Sequence, residues 1–193
     1  MKLFSIVVST LYLLSACATS RPDHYYILNS EPSSATQARE TPATQVALSV
    51  SLPSLVDRSQ MVLNTTADGV LVLEHERWAA PLTDLVTQAL AQDLERRRSD
   101  LLVAGHGAVR ASGPAIQITI AVLQMTVRKG DKASIETHWR ILGMRNGKEE
   151  VGGEVFSAPM RQDNYASVAQ SLSECVALLA DRLVAEMPKV EAQ

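Results

Sequence analysis

Residues Ala115 to Ala158, AIQITIAVLQMTVRKGDKASIETHWRILGMRNGKEEVGGEVFSA, constrain the fold more than any other stretch. They are dense in β-branched residues and are broken twice by turn chemistry, at Lys129-Gly130-Asp131 and at Asn146-Gly147-Lys148. That pattern predicts three long strands in an antiparallel meander. In the first strand Ile116, Ile118, Ile120 and Val122 share one face, but Leu123, Met125 and Val127 continue in the opposite phase. Side chains alternate along a strand, so either a β-bulge near Val122 or burial of both faces is needed to reconcile the two sets. The next strand sets Ile135, Trp139 and Ile141 against Glu136, His138 and Arg140, one dry face and one polar face.

A sheet with a dry face needs a cover, and two amphipathic stretches supply it. Trp78 to Asp100 reads as a helix: Pro81 suits its first turn, Leu82, Leu85, Val86, Ala89, Leu90 and Leu94 form one stripe, and Arg96, Arg97 and Arg98 stand at the carboxyl end. Three arginines invite a phosphate-binding reading, but a solvated helix end complementing the dipole is the preferred one. Asp163 to Met187 reads as a second helix, capped by Asp163 or Asn164 and ended by Pro188. Its stripe is Val168, Leu172, Cys175, Leu179, Leu183 and Met187.

Shorter strands complete the inventory. HYYIL (His24 to Leu28), VALSVSL (Val46 to Leu52), QMVLNTT (Gln60 to Thr66) with VLVLEHE (Val70 to Glu76) around the turn Ala67-Asp68-Gly69, and LLVA (Leu101 to Ala104) all read as extended. Residues 29–45, rich in Ser, Thr, Ala and Pro without a hydrophobic period, read as a mobile loop. The fold class expected is α+β: one domain, a mostly antiparallel mixed sheet covered by two amphipathic helices. No internal repeat or second domain is evident.

The amino terminus is set apart from this domain. Met1 and Lys2 precede the uncharged run Leu3 to Leu14, which is twelve residues long, whereas a membrane-spanning helix needs about 20. The layout is that of a secretory signal. The next residues, Leu14-Ser15-Ala16-Cys17, resemble the bacterial lipobox. That resemblance implies cleavage before Cys17 and acylation of its sulfur and new amino terminus, giving a membrane anchor; each buried methylene contributes roughly 0.8 kcal/mol. Ala18, in place of an inner-membrane-retaining aspartate, favours the outer membrane. The expected divisions are a lipoprotein signal peptide at 1–16, a lipidated tether at 17–22 and the folded domain at 23–190. Cys17 to the first strand is only about 20 Å when extended, which keeps the domain near the membrane unless that strand detaches.

Composition excludes some roles. The chain carries a net charge of −3, and loss of residues 1–16, with Lys2 and no acid, takes it to −4; nucleic acid, which demands a basic patch, is not an expected partner. With Cys17 acylated, Cys175 has no partner for a disulfide and reads as a small apolar packing residue. No Gly-x-Ser-x-Gly elbow, P-loop, His-Glu-x-x-His or paired-cysteine site occurs. Glu74, His75 and Glu76 alternate in direction along a strand and do not converge, so a solvated strand end is preferred there. His24, His106 and His138 read as isolated. No catalytic residue, metal or cofactor is expected, and the chain is not read as an enzyme.

Three ordered segments together resemble the ABC-type transport auxiliary lipoprotein (PqiC-like) family: YYIL after the lipobox, LPSLVDRSQMVL with its aspartate-arginine pair, and Trp78-Ala79-Ala80-Pro81-Leu82. The closing helix matches the family's last element. The resemblance implies an accessory lipoprotein of an MCE/ABC-type lipid transport system, docking the periplasmic conduit at the outer membrane. Its partners would be the membrane, an MCE-domain protein with its ABC transporter, and phospholipid; a homo-oligomer is left open. Asp57, Arg58, Trp78 and Pro81 are the candidate partner-binding residues, although Trp78 also suits a core plug and Asp57 with Arg58 a local pair. Two other readings stand beside it: a carrier that encloses lipid between sheet and helices, and an envelope lipoprotein that stabilises an unrelated complex.

Overall fold

Eight strands and two helices follow one another in the computed structural model, which describes residues 21–30, 44–66, 68–105, 115–144 and 147–187. They are β1 (His24–Tyr26), β2 (Thr44–Ser51), β3 (Gln60–Asn64), β4 (Val70–Trp78), α1 (Leu82–Arg97), β5 (Leu101–Ala104), β6 (Ile116–Arg128), β7 (Lys132–Gly143), β8 (Glu149–Pro159) and α2 (Tyr165–Glu186). The expected meander is β6, β7 and β8, paired antiparallel throughout. Gly130 and Gly147, both at positive φ, serve its two turns. β2 inserts parallel between β6 and β5, giving a five-stranded sheet in the order β5-β2-β6-β7-β8.

The bulge resolves the phase conflict in β6. Register slips between Val122 and Gln124, and Leu123 is the residue passed over and left exposed. Ile116, Ile118, Ile120, Val122, Met125 and Val127 all fall on the buried face as a result. In β7, Ala133, Ile135, Thr137, Trp139 and Ile141 are buried on that same side, with His138 and Arg140 exposed on the other. The chain is thus an α+β domain whose long pairings are antiparallel.

Both helices lie on this dry face, α1 over β2 and β5, α2 over β7 and β8, and against each other. The expected stripes are the buried ones, and Leu90, Leu94, Cys175, Leu183, Ile118 and Ile141 are fully enclosed between helices and sheet. Asn164, the second of the two candidate caps, accepts from the Ser167 amide at 2.8 Å, while Asp163 pairs with Lys129. Pro188 lies outside the described residues.

Some boundaries, and the division into sheets, differ from expectation. α1 starts at Leu82 rather than Trp78, because main-chain bonds hold Trp78 and Ala79 extended and Pro81 adopts an extended ψ of 133°. β2 starts at Thr44, inside the stretch read as loop, where its amide bonds the Asp100 carbonyl and the strand pairs with β5. The remaining strands form a separate sheet, β1-β4-β3, with β1 parallel to β4 and β3 antiparallel to it. This small sheet is fastened to the large one where Asn64 Oδ1 accepts from the Val127 amide at 2.8 Å. No described helix is long and apolar enough to cross a membrane.

Candidate functional site

The segments LPSLVDRSQMVL, YYIL and Trp78-Ala79-Ala80-Pro81-Leu82 meet at the end of β4. The Trp78 amide donates to the Ser59 carbonyl at 2.7 Å, and the Ala79 amide to the Tyr26 carbonyl at 2.9 Å. Between β2 and β3 the chain turns tightly, with the Val56 and Asp57 amides both bonded to the Pro53 carbonyl. This turn carries Asp57 to the start of α1, where its Oδ1 accepts from the Thr83 amide at 3.2 Å. Proline at the N-cap position has no side-chain oxygen, so the orphan Thr83 amide takes its acceptor from another segment.

The four candidate residues are therefore neighbours in the fold with different duties. Trp78, 4% exposed, closes the core at the end of β4. Asp57 serves α1 rather than pairing with Arg58. Arg58 and Pro81 face solvent, and Tyr25, Ile27 and Leu55 on the converging segments are exposed apolar residues.

The leader into this junction is clamped on both faces of β4. His24 stands opposite Glu76 and Tyr26 opposite Trp78. On the inner face the Tyr26 hydroxyl donates to Glu76 Oε2 at 2.6 Å, and His24 Nδ1 lies 3.2 Å from Oε1. On the outer face Asp23 bonds His75 Nδ1 at 2.9 Å and Arg77 Nε at 3.2 Å. Burial alone would raise the Glu76 pKa, but the hydrogen bonds from Tyr26 and His24 and the charges of His24 and Arg21 outweigh it and hold the carboxyl below its usual value. Burial and the same carboxylate push the Tyr26 phenol up to about 12. Glu76 and His75 point apart, as the strand alternation requires. Yet Glu76 is buried rather than solvated, and His24 is not isolated, because the parallel pairing of β1 lays it across β4. His106 lies outside the described residues, and His138 is exposed.

Past β1 the chain crosses the helices. Leu28 is buried, the Asn29 amide donates to Ser173 Oγ, and Ser30 donates to buried Asp93 and accepts from Arg96. Residues 29 and 30, placed in the loop by sequence, are thus fixed to the body. The arginine trio is divided among partners: Arg96 on Ser30, Arg98 on Asp100, and Arg97 between Asp93, Asp181 and the Ala177 carbonyl. Arg97 is largely buried rather than solvated, since the two helices close over it. Burial works against its charge, but the hydrogen bond and charges of Asp181 and Asp93 raise its pKa. Burial raises the Asp93 pKa.

Cys17 lies outside the described residues. Cys175 is buried against the Ala133 carbonyl, and burial pushes its thiol up to about 12. No group of three or more potential metal ligands is found among the described residues. Open grooves of about 420 Å³ beside Phe156 and Arg182, and about 370 Å³ beside Gln88 and Val103, lie on the surface.

Comparison with known proteins agrees with this layout. A family model described as ABC-type transport auxiliary lipoprotein component matches residues 26–184. A crystal structure described only as that of an uncharacterized protein superposes with a TM-score of 0.70 at 15% identity, covering 87% of this chain and 100% of the other. Protein XCC0632 from Xanthomonas campestris superposes with a TM-score of 0.61 at 16% identity, covering 83% of this chain and 91% of its own. At those identities the likeness concerns the fold alone. No curated protein matches the chain.

Proposed function

The chain belongs to the ABC-type transport auxiliary lipoprotein family, and on that premise we propose that it is an outer-membrane-anchored periplasmic lipoprotein that docks the conduit of an MCE/ABC-type lipid transport system. The observation that carries the reading is the family match over 26–184, which begins nine residues after a cysteine in lipobox context. Residues 1–16 are the signal peptide, and Cys17 is the acylated mature terminus. The junction of β1, β4 and α1 is the docking region: Trp78 and Asp57 make its frame rigid, and Arg58, Pro81, Tyr25, Ile27 and Leu55 present a cation and apolar surface on that frame. Aromatic and arginine residues on a stiff support are the composition expected of an interface.

The carrier reading is less favoured. The space between sheet and helices is filled by Ile118, Ile141, Leu90, Cys175 and Leu179, where a carrier would keep a chamber. A photo-crosslinking residue at Arg58 or Leu55 in intact cells tests the docking proposal. An adduct containing an MCE-domain protein supports it; adducts with no MCE protein from either position, with the lipoprotein at native abundance, refute it.

A further inference from the structure

We infer that the turn between β3 and β4, with exposed Val70 and Leu71 beside it, is the pole of the domain that rests on the bilayer. The inference rests on the acylation of Cys17 proposed above. The path of the leader carries it. Because β1 is parallel to β4, the chain before His24 departs toward the beginning of β4, away from the junction at Trp78. That direction is fixed as far as Asp23, which bonds His75 and Arg77 on the outer face.

Reach and direction then agree. Six residues lead from Cys17 to Asp23, at most about 20 Å. The stretch of β4 from His75 back to Val70 covers a similar length at about 3.3 Å per residue. The reach of the leader thus extends to the level of the β3–β4 turn. There Val70 is 42% and Leu71 48% exposed. The turn is not a loose appendage: the Thr65 amide bonds the Gly69 carbonyl, and Asn64 binds Val127 of the large sheet. A contact made at this turn fixes the tilt of the whole domain.

The chemistry of the pole selects the kind of contact. From Asn64 to Glu74 the chain has no lysine or arginine, and Asp68 is its carboxylate at the turn. The segment itself brings apolar side chains and no cation, so its own contact is shallow apolar insertion, with retention supplied by the acyl chains and orientation by Val70 and Leu71; exposed Arg128 and Lys132, on the strand ends beside Asn64, add attraction to anionic headgroups.

The test uses the acylated full-length protein with Leu71→Cys carrying an environment-sensitive fluorophore, in phosphatidylethanolamine/phosphatidylglycerol vesicles with brominated acyl chains. Acylated Cys17 offers no thiol and Cys175 is buried, so the label is confined to one site. The same label at Val151→Cys, on a strand of the other sheet and 71% exposed, is the control. Insertion into the interfacial region predicts a blue shift and about twofold quenching at position 71, and neither at 151. A label at 71 as wet and unquenched as that at 151, on protein that floats with the vesicles, overturns the inference. So does a blue shift without quenching, the signature of a protein contact instead. Flotation separates the premise: if a chain lacking residues 1–17 floats as the native chain does, the anchor assignment fails, whatever the label reports.

Discussion

Asp57 shows how one side chain can hold two elements together. It satisfies an amide of α1 from a turn between β2 and β3, so Asp57→Ala should cost about 1 kcal/mol, or about 2–4 °C in Tm for a domain of this size. Asp57→Asn, which keeps an acceptor, should retain most of that stability in thermal unfolding. Gly152 is a second sensitive position, because a Cβ there would lie 2.4 Å from the ring of Trp139. That ring is held by Phe156 and by a bond from its Nε1 to Glu186. Gly152→Ala should therefore destabilise by roughly 1–3 kcal/mol through overpacking, read as a lower urea midpoint with unchanged slope. The caps differ in how far sequence reveals them. Asn164 was readable because its donor is three residues on, in the pattern of an ordinary N-cap. Asp57 stands out in the sequence only as half of an aspartate-arginine pair and a candidate contact; its capping duty is not legible, since its donor lies 26 residues away. Arg97 is less legible for a related reason: besides buried Asp93 on its own helix, it is enclosed by Asp181 and the Ala177 carbonyl of the other helix.

Among elements, β1 depends on side chains more than on its ladder, being three residues long at the edge of a three-stranded sheet. Glu76 is held below its ordinary value of 4.5 in the fold. Unfolded, it takes up a proton near that ordinary value, so its stabilisation is complete above about pH 4.5 and is lost as pH falls through the folded value. Glu76→Gln exchanges charged for neutral hydrogen bonds and should lose about 1 kcal/mol at neutral pH. The Tm difference between the two proteins should close as pH drops below 4.5. Tyr26 has the opposite sign. Its phenol ionises near 10 when unfolded and at about 12 in the fold, so its contribution is full below pH 10 and is lost as pH rises through about 12. Ultraviolet titration should show one tyrosine ionising late, and Glu76→Ala should bring it back toward the others. The meander was legible because period-two alternation is local; the phase change in β6 left a bulge or two buried faces open, and the pairing with β7 decides for the bulge. The helices were legible for the same reason at their own period. The division into two sheets was not, because nothing in HYYIL says that it will lie parallel to a strand fifty residues on.

At the scale of the molecule, the small sheet separates two poles, with the Asp57–Trp78 junction at the end of β4 and the leader departing toward its beginning. In cells, Cys17→Ala should abolish incorporation of labelled palmitate; persistent labelling would refute the lipobox assignment. The folded domain of that variant should keep the native Tm, since the core elements lie beyond residue 23. The parallel pairing of β1 with β4 also has a mechanical consequence. A pull from an anchor at the turn pole acts along the axis of β1, so the β1–β4 hydrogen bonds and the Asp23 and Glu76 contacts are loaded together in shear rather than opened one after another. Behind them, buried Leu28 and the Asn29 and Ser30 bonds to the helices carry what the strand releases. An acyl anchor at Cys17, as proposed, would therefore be coupled to the body through a graded mechanical linkage.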